Sequence, residues 1–252
     1  MYDLQKANMW KRISASLFDT ILLGIAAVGL ALLLSVLLGY DSYSDRLQMH
    51  YDSYESRYGI SFDITPEEYE AFSEDELAVY DAAAKDFSQN TEVSYLYGMM
   101  LNLTLIIVAF SILLAYLIFE FLIPILLANG QTLGKKVFGI GVMRVDGVKL
   151  SSVLLFARTV LGKYTVETMI PVLLCIMIYF GYAGPGGLLV IGILILAQII
   201  LLAVTSTRAT IHDKLAHTVV VDLASQLIFD TPEALLEYKK RTQKKQAQQS
   251  DY

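Results

Sequence analysis

The sequence predicts an all-α membrane protein, a four-span transmembrane helical bundle with a small cytoplasmic β element and an extracytoplasmic helical loop. Three observations carry this. The 252 residues are 55% hydrophobic and have a mean hydropathy of +0.52, beyond the range of an ordinary water-soluble domain. Four apolar stretches interrupt the polar chain, at residues 17–39, 98–127, 168–182 and 188–204. Charge is also segregated: residues 40–97 hold fourteen acidic and three basic side chains, a net of -11, whereas the rest holds sixteen basic against eleven acidic, a net of +5. By the positive-inside rule the basic segments and both termini are cytoplasmic and the acidic loop is outside, as an even number of spans requires.

Residues 1–39 read as a cytoplasmic N-terminus and first transmembrane helix, with Asp19 as the one charge within the apolar run. That run spans about 30 Å of hydrocarbon at roughly 1.5 Å per residue. Lys6, Lys11 and Arg12 precede it as the charged region of a signal peptide would. The run is too long for one, and Leu37 and Tyr40 stand where a cleavage site needs small side chains. Gly24, Ala27, Gly29 and Ala31 give the helix a small-residue surface suited to close helix contact.

Residues 40–97 form the acidic extracytoplasmic cap. Leu47, Tyr51, Tyr54 and Tyr58 recur at helical spacing before Gly59, which suits a helix C-cap. Thr65 with Glu68, and Ser73 with Glu76, have the spacing of capping boxes, and Pro66 suits a first helical turn. Leu77, Tyr80, Ala84 and Phe87 then line one helix face. Asp41 and Asp45 lack the glycine and terminal glutamate of an EF-hand, so a solvated face is expected there.

Residues 98–127 are the second span, with Glu120 as its charge, and 128–167 hold a cytoplasmic hairpin and an interfacial helix. Residues 137–145 are rich in β-branched side chains and end in Asp146 and Gly147, a turn pair from which 148–150 returns. Ser151 or Ser152 caps the following helix, from which Arg158 and Lys163 reach toward lipid headgroups. Residues 168–204 hold spans three and four, the third interrupted by Pro171 and the fourth carrying Gln198. Residues 205–252 supply a strand at 217–222 that pairs with 142–145, and a basic tail opening at Thr231 and Pro232. Its Lys239, Lys240, Arg241, Lys244 and Lys245 attract anionic lipid or form a solvated face, and disorder is expected from Gln246.

The candidate transport or polar cluster is Arg12, Asp19, Glu120, Arg158, Arg208 and Asp213. Arg12, Ala15 and Asp19 share one helix face, and Glu120 lies late in an inward-running span, at a depth similar to Asp19. Arg158, Arg208 and Asp213 fall just beneath them. Ionisable groups near the hydrocarbon cost about 3 kcal/mol without partners, so a paired network is the economical arrangement. Two readings compete. Paired charges lock the helices in register, or Asp19 and Glu120 bind or relay a cation while the other four hold and tune them.

Other motifs exclude more than they propose. Gly130 and Gly134 have three residues between them and Lys136 follows Lys135, which breaks the Walker A pattern and leaves the glycines to shape the exit from the second helix. His212, Asp213 and His217 are too sparse for a metal site, so capping and hydrogen bonding are expected there. The single cysteine, Cys175, gives no disulfide framework. No Ser/His/Asp set, CxxC or HExxH occurs, so no catalytic residue, metal or cofactor is assigned and the chain is not expected to be an enzyme. Expected partners are the lipid bilayer, anionic lipid at the tail, and a homo-oligomer or membrane partner, with no nucleic acid.

Three blocks carry a resemblance: RISASLFD from Arg12 to Asp19, GQTLGKKVFGIGVMRVDG from Gly130 to Gly147, and RATIHDKLAHTVVVD from Arg208 to Asp222. Together, in this order, they resemble the RDD family of bacterial integral membrane proteins, whose defining arginine and two aspartates would fall on Arg12, Asp19 and Asp213. The resemblance implies a multi-pass protein of the bacterial plasma membrane, for which a transport role has been proposed. Many members have three spans and a short first outer loop, and a glycine where His217 stands. The expected activity is transport of a small ion or solute, proton-coupled in one form. The alternative is a non-catalytic scaffold or accessory subunit that binds a protein partner or lipid.

Overall fold

The computed structural model describes residues 4–127, 129–179 and 181–250, with the backbone alone at 247–250. In chain order it contains α1 (Met9–Leu37), α2 (Tyr40–Tyr58), α3 (Pro66–Glu70), α4 (Glu74–Gln89), α5 (Thr91–Leu126) and α6 (Leu133–Val137). Then follow β1 (Ile140–Arg144), α7 (Ser152–Tyr179), α8 (Gly184–Val204), α9 (Ile211–Leu215), β2 (Thr218–Asp222) and α10 (Pro232–Ser250). Among the described residues four helices, α1, α5, α7 and α8, are long and apolar enough to cross a membrane. Leu17, Ile25 and Leu32 of α1, and Leu188, Ile193 and Ile199 of α8, are more than half exposed, as side chains solvated by lipid would be.

Several helix bounds differ from expectation for local reasons. α1 starts at Met9, before the apolar run, because the Asn8 side chain accepts from the Trp10 N–H at 3.0 Å. α5 starts at Thr91, where the Asn90 side chain accepts from the Glu92 N–H at 2.9 Å. The interfacial helix and third span are one continuous helix, α7, with Ser151 as its cap. α10 runs through Ser250, past the disorder expected from Gln246, while residues 251 and 252 lie outside the described ones. A Cβ added at Gly24 or Gly29 would meet nothing within 4 Å among the described residues, so neither glycine is a point of close helix contact there.

The chain divides into two compact units, one of residues 28–111 and one of residues up to 27 with those from 112 onward. In the first, Leu47, Val93 and Leu96 form the buried core, and Tyr43, Tyr51, Phe87 and Met100 pack on it. Phe62 brings an edge to Tyr51 at 5.6 Å, and Tyr54 meets Phe87 at 5.2 Å. Both capping boxes form, at Thr65 with Glu68 and at Ser73 with Glu76. Backbone N–H donors at the two caps hold the Glu68 and Glu76 carboxyls below their ordinary pKa. Gly59 ends α2 at φ 69, the left-handed conformation a C-cap glycine supplies. The fully buried alanine of α4 is Ala83 rather than the neighbouring Ala84.

The second unit is organised on β1 and β2, which pair antiparallel with Val142 opposite Val220 and Met143 opposite Val219. The expected pairing is therefore present. Alternation along the strands gives two buried faces. Ile140, Val142 and Val220 pack with Ala7 and Ala15 on one, and Met143, Val219 and Val221 pack with Leu4 and Ile228 on the other. Gly147, at φ 93, closes the turn, its N–H donating to Arg144 O at 3.0 Å. The return is shorter than expected, an isolated pair of Met143 with Lys149, because Ser151 already begins the cap of α7. Val137, expected at the start of the strand, instead ends helix α6, whose N-cap is Thr132.

Candidate functional site

Two prolines shape the site. Pro124 in α5 and Pro171 in α7 each stand four residues after a glutamate, Glu120 and Glu167. A proline removes the N–H that would bond to that carbonyl and its ring crowds the same oxygen. Both helices widen to π geometry just before, over Leu117–Leu122 and Ala157–Met169. The freed Glu120 carbonyl instead accepts the Thr159 hydroxyl at 2.9 Å, tying α5 to α7. π segments of this kind concentrate at functional sites.

The wide turn of α7 brings Arg158, Thr159 and Gly162 inside. Arg158 and Lys163 thus do not reach toward headgroups: Arg158 is 2% exposed, and Lys163 Nζ lies 2.5 Å from Glu120 Oε1. The buried carboxylates of Asp213 and Glu120 hold them there. At Gly162 a Cβ would come within 2.5 Å of the His212 Cβ, so the glycine admits α9 against α7.

The charged residues form two strings. In the first, Asp213 accepts from Arg158 Nη2 at 2.7 Å and from Arg12 Nη2 at 3.3 Å. The Thr210 and Thr218 hydroxyls add bonds at 2.8 and 3.1 Å. Burial alone would raise the Asp213 pKa, but Arg158, then His212 and Arg12, hold it well below the carboxylate range. His212 Nδ1 lies 2.8 Å from Glu167 Oε2 and Nε2 lies 2.9 Å from the Thr210 hydroxyl. Burial, then the charge of Arg158, lowers the His212 pKa. A neutral ring donating from Nδ1 to Glu167 fits those contacts.

In the second string, Asp19 caps α6, accepting the Gly134 N–H at 2.8 Å and the Thr132 hydroxyl. Ala15, one turn earlier on α1, is fully buried, and a Cβ at Gly134 would strike its carbonyl. Lys135 Nζ lies 3.3 Å from the same Thr132 hydroxyl and 3.9 Å from Glu120 Oε2. Asp19, Thr132, Lys135, Glu120 and Lys163 are thus consecutive. Burial drives the Lys135 pKa down to about 7; Glu120 opposes this, while Lys163 and Arg158 add to it.

Both strings line one cavity of about 480 Å³. Of the six residues the sequence singled out, Arg12, Asp19, Glu120 and Arg158 line it. Asp213 sits behind Arg12 and Arg158. Arg208 enters through its backbone: at φ 48 it presents a carbonyl to Arg12 Nη1 at 2.6 Å, and among the described residues its exposed guanidinium forms no ion pair. Asp19 and Glu120 pair with none of the arginines, so the single cluster expected is two adjoining ones. Lys135 and Glu167 are the residues sequence reasoning missed, and Lys163 and His212, read there as a headgroup-facing and a capping residue, line the cavity as well. Pro124 and Pro171, spaced four from each glutamate, were the available signal.

A model of the RDD family matches residues 6–217. The chain belongs to the RDD family. No curated protein and no solved structure matches it. Of the arginine and two aspartates that the resemblance singled out, Arg12 and Asp213 form an ion pair, and Asp19 binds the segment between α5 and β1. His217 has φ 51, a left-handed conformation that glycine adopts without a steric cost. Thr210 and Asp213 cap α9 as a capping box, the role expected for this stretch.

Proposed function

We propose that this RDD protein transports a small ion or solute across the plasma membrane, coupled to a proton exchanged in the charged cavity. The observation that carries the reading is the cavity itself: Arg12, Asp19, Glu120, Lys135, Arg158, Lys163 and Glu167 surround about 480 Å³ among helices otherwise apolar enough to span a bilayer. Intramembrane charge is costly and marks substrate or ion pathways. Lys135, poised near neutral pH, is the natural proton-exchanging group, and Glu120 is its counter-charge. The basic segments and both termini face the cytoplasm in this reading, and residues 40–97 face outward, on the strength of their opposite net charges.

A scaffold or accessory-subunit role is favoured by a different observation, that Asp19, Glu120 and Asp213 each already hold at least two partners. Proteoliposomes under imposed pH and cation gradients separate the two. Flux in the wild type that is lost in Asp19→Asn and Glu120→Gln supports transport. Absence of flux under every gradient, with a stable partner captured by crosslinking in the membrane, supports the scaffold.

A further inference from the structure

The cavity contains an imbalance. Among the described residues, Arg158 Nε is the buried side-chain nitrogen or oxygen that has no hydrogen-bond partner. Arg158 is 2% exposed and lines the cavity, and its Nη2 is engaged by Asp213. A buried donor without an acceptor costs about 1–3 kcal/mol, more on a charged group. Nε itself is shut off from solvent, so a ligand in the cavity supplies the acceptor as the Arg158 side chain turns to meet it. The missing acceptor is an anion by charge, since Arg12, Lys135 and Lys163 line the same space. The carboxylates there are occupied: Asp19 by Thr132 and Gly134, Glu120 by both lysines, Glu167 by His212.

Size and wall chemistry narrow the class. About 480 Å³ is in the range of small organic ligands, far beyond a bare halide, and Ile13, Leu23, Tyr116 and Leu202 supply apolar wall. The planar guanidinium fork matches a carboxylate. We propose that the cavity binds a small organic monocarboxylate, seated on Arg158 Nε with its hydrocarbon part against the apolar wall, and that its arrival is coupled to uptake of a proton by Lys135. The charged groups acting on Lys135 are Glu120 on α5, Lys163 and Arg158 on α7 and Asp19 on α1. An added negative charge offsets the two cations among them, so the ammonium form becomes favoured. This rests on the transport reading and names its substrate class and coupling.

Titration calorimetry of the full chain in detergent with sodium butyrate, near pH 7 in buffers of different ionisation enthalpy, tests it. Saturable binding is expected, with net proton uptake on butyrate binding, because an added negative charge favours the ammonium form of Lys135. Sodium chloride at equal ionic strength should not compete. Arg158→Lys keeps the charge but removes Nε–H and should weaken binding about tenfold or more. Lys135→Met should weaken binding and abolish the proton uptake that accompanies the binding that remains. If Arg158→Lys fails to fold, chloride competition and the Lys135 variant still decide. Absence of butyrate binding to folded protein, equal competition by chloride, or proton uptake that survives in Lys135→Met overturns the proposal. Cation flux in proteoliposomes without butyrate binding would leave transport standing and remove this ligand. Butyrate binding without flux of any kind would do the reverse.

Discussion

Asp213 and Glu120 are both buried carboxylates held by two cations, but the cations differ in kind. Asp213 is 1% exposed and held by two arginines, which stay charged at any physiological pH, with threonine hydroxyls completing its shell. Glu120 is 5% exposed and held by two lysines, one of which titrates at about 7. One end of the cavity is thus fixed and the other adjustable. Similar depth of burial does not give identical behaviour; the partner's chemistry decides whether a buried pair is a lock or a proton site.

The largest expected effect falls on the fixed end. Asp213→Asn leaves Arg158 buried without its counter-charge and should destabilise the protein by about 3–5 kcal/mol, measured by denaturant unfolding in detergent. Next come the glycines that let each end close. Gly162→Ala, against His212, and Gly134→Ala, against Ala15 and Asp19, should each cost about 1–3 kcal/mol in the same assay.

The pH response should separate the ends. The Lys135 pKa is lowered in the folded state from its ordinary 10.5 to about 7. Below pH 7 the folded and unfolded chains both hold the proton, and the full penalty of burying the charge applies. Between 7 and 10.5 the unfolded chain binds more protons, so this group makes stability rise with pH, by up to about 1.4 kcal/mol per pH unit. Lys135→Met should remove that rise, as read from unfolding across the window. A persistent slope would assign the titration to another group. At the small end, Arg46→Ala breaks an exposed pair with Glu92 and should leave unfolding unchanged within error.

The legible parts of the fold were those that depend on near neighbours. The boxes at Thr65 and Ser73, the turn at Asp146 and Gly147, and the alternation that marks each of β1 and β2 all follow from short-range chemistry. The site was legible in part. Arg12, Asp19, Glu120, Arg158 and Asp213 stood out because charge beside an apolar run needs a reason. Their partners did not, because Lys135 and Lys163 reach Glu120 from distant segments, and Lys163 turns inward only after α7 widens to π geometry. Arg208 misled for the opposite reason: its carbonyl, set by φ 48, is the part that binds. A sequence displays side chains, and a backbone role of that kind is hidden in it.

The central claim is that the adjustable end exchanges protons during transport. The most direct measurement is proton movement in proteoliposomes carrying a pH-sensitive dye, comparing wild type with Glu120→Gln after confirming that both fold. The account predicts gradient-driven proton flux in the wild type and its loss in the variant. Equal flux in the two would contradict it, as would a folded wild type that moves no proton under any gradient.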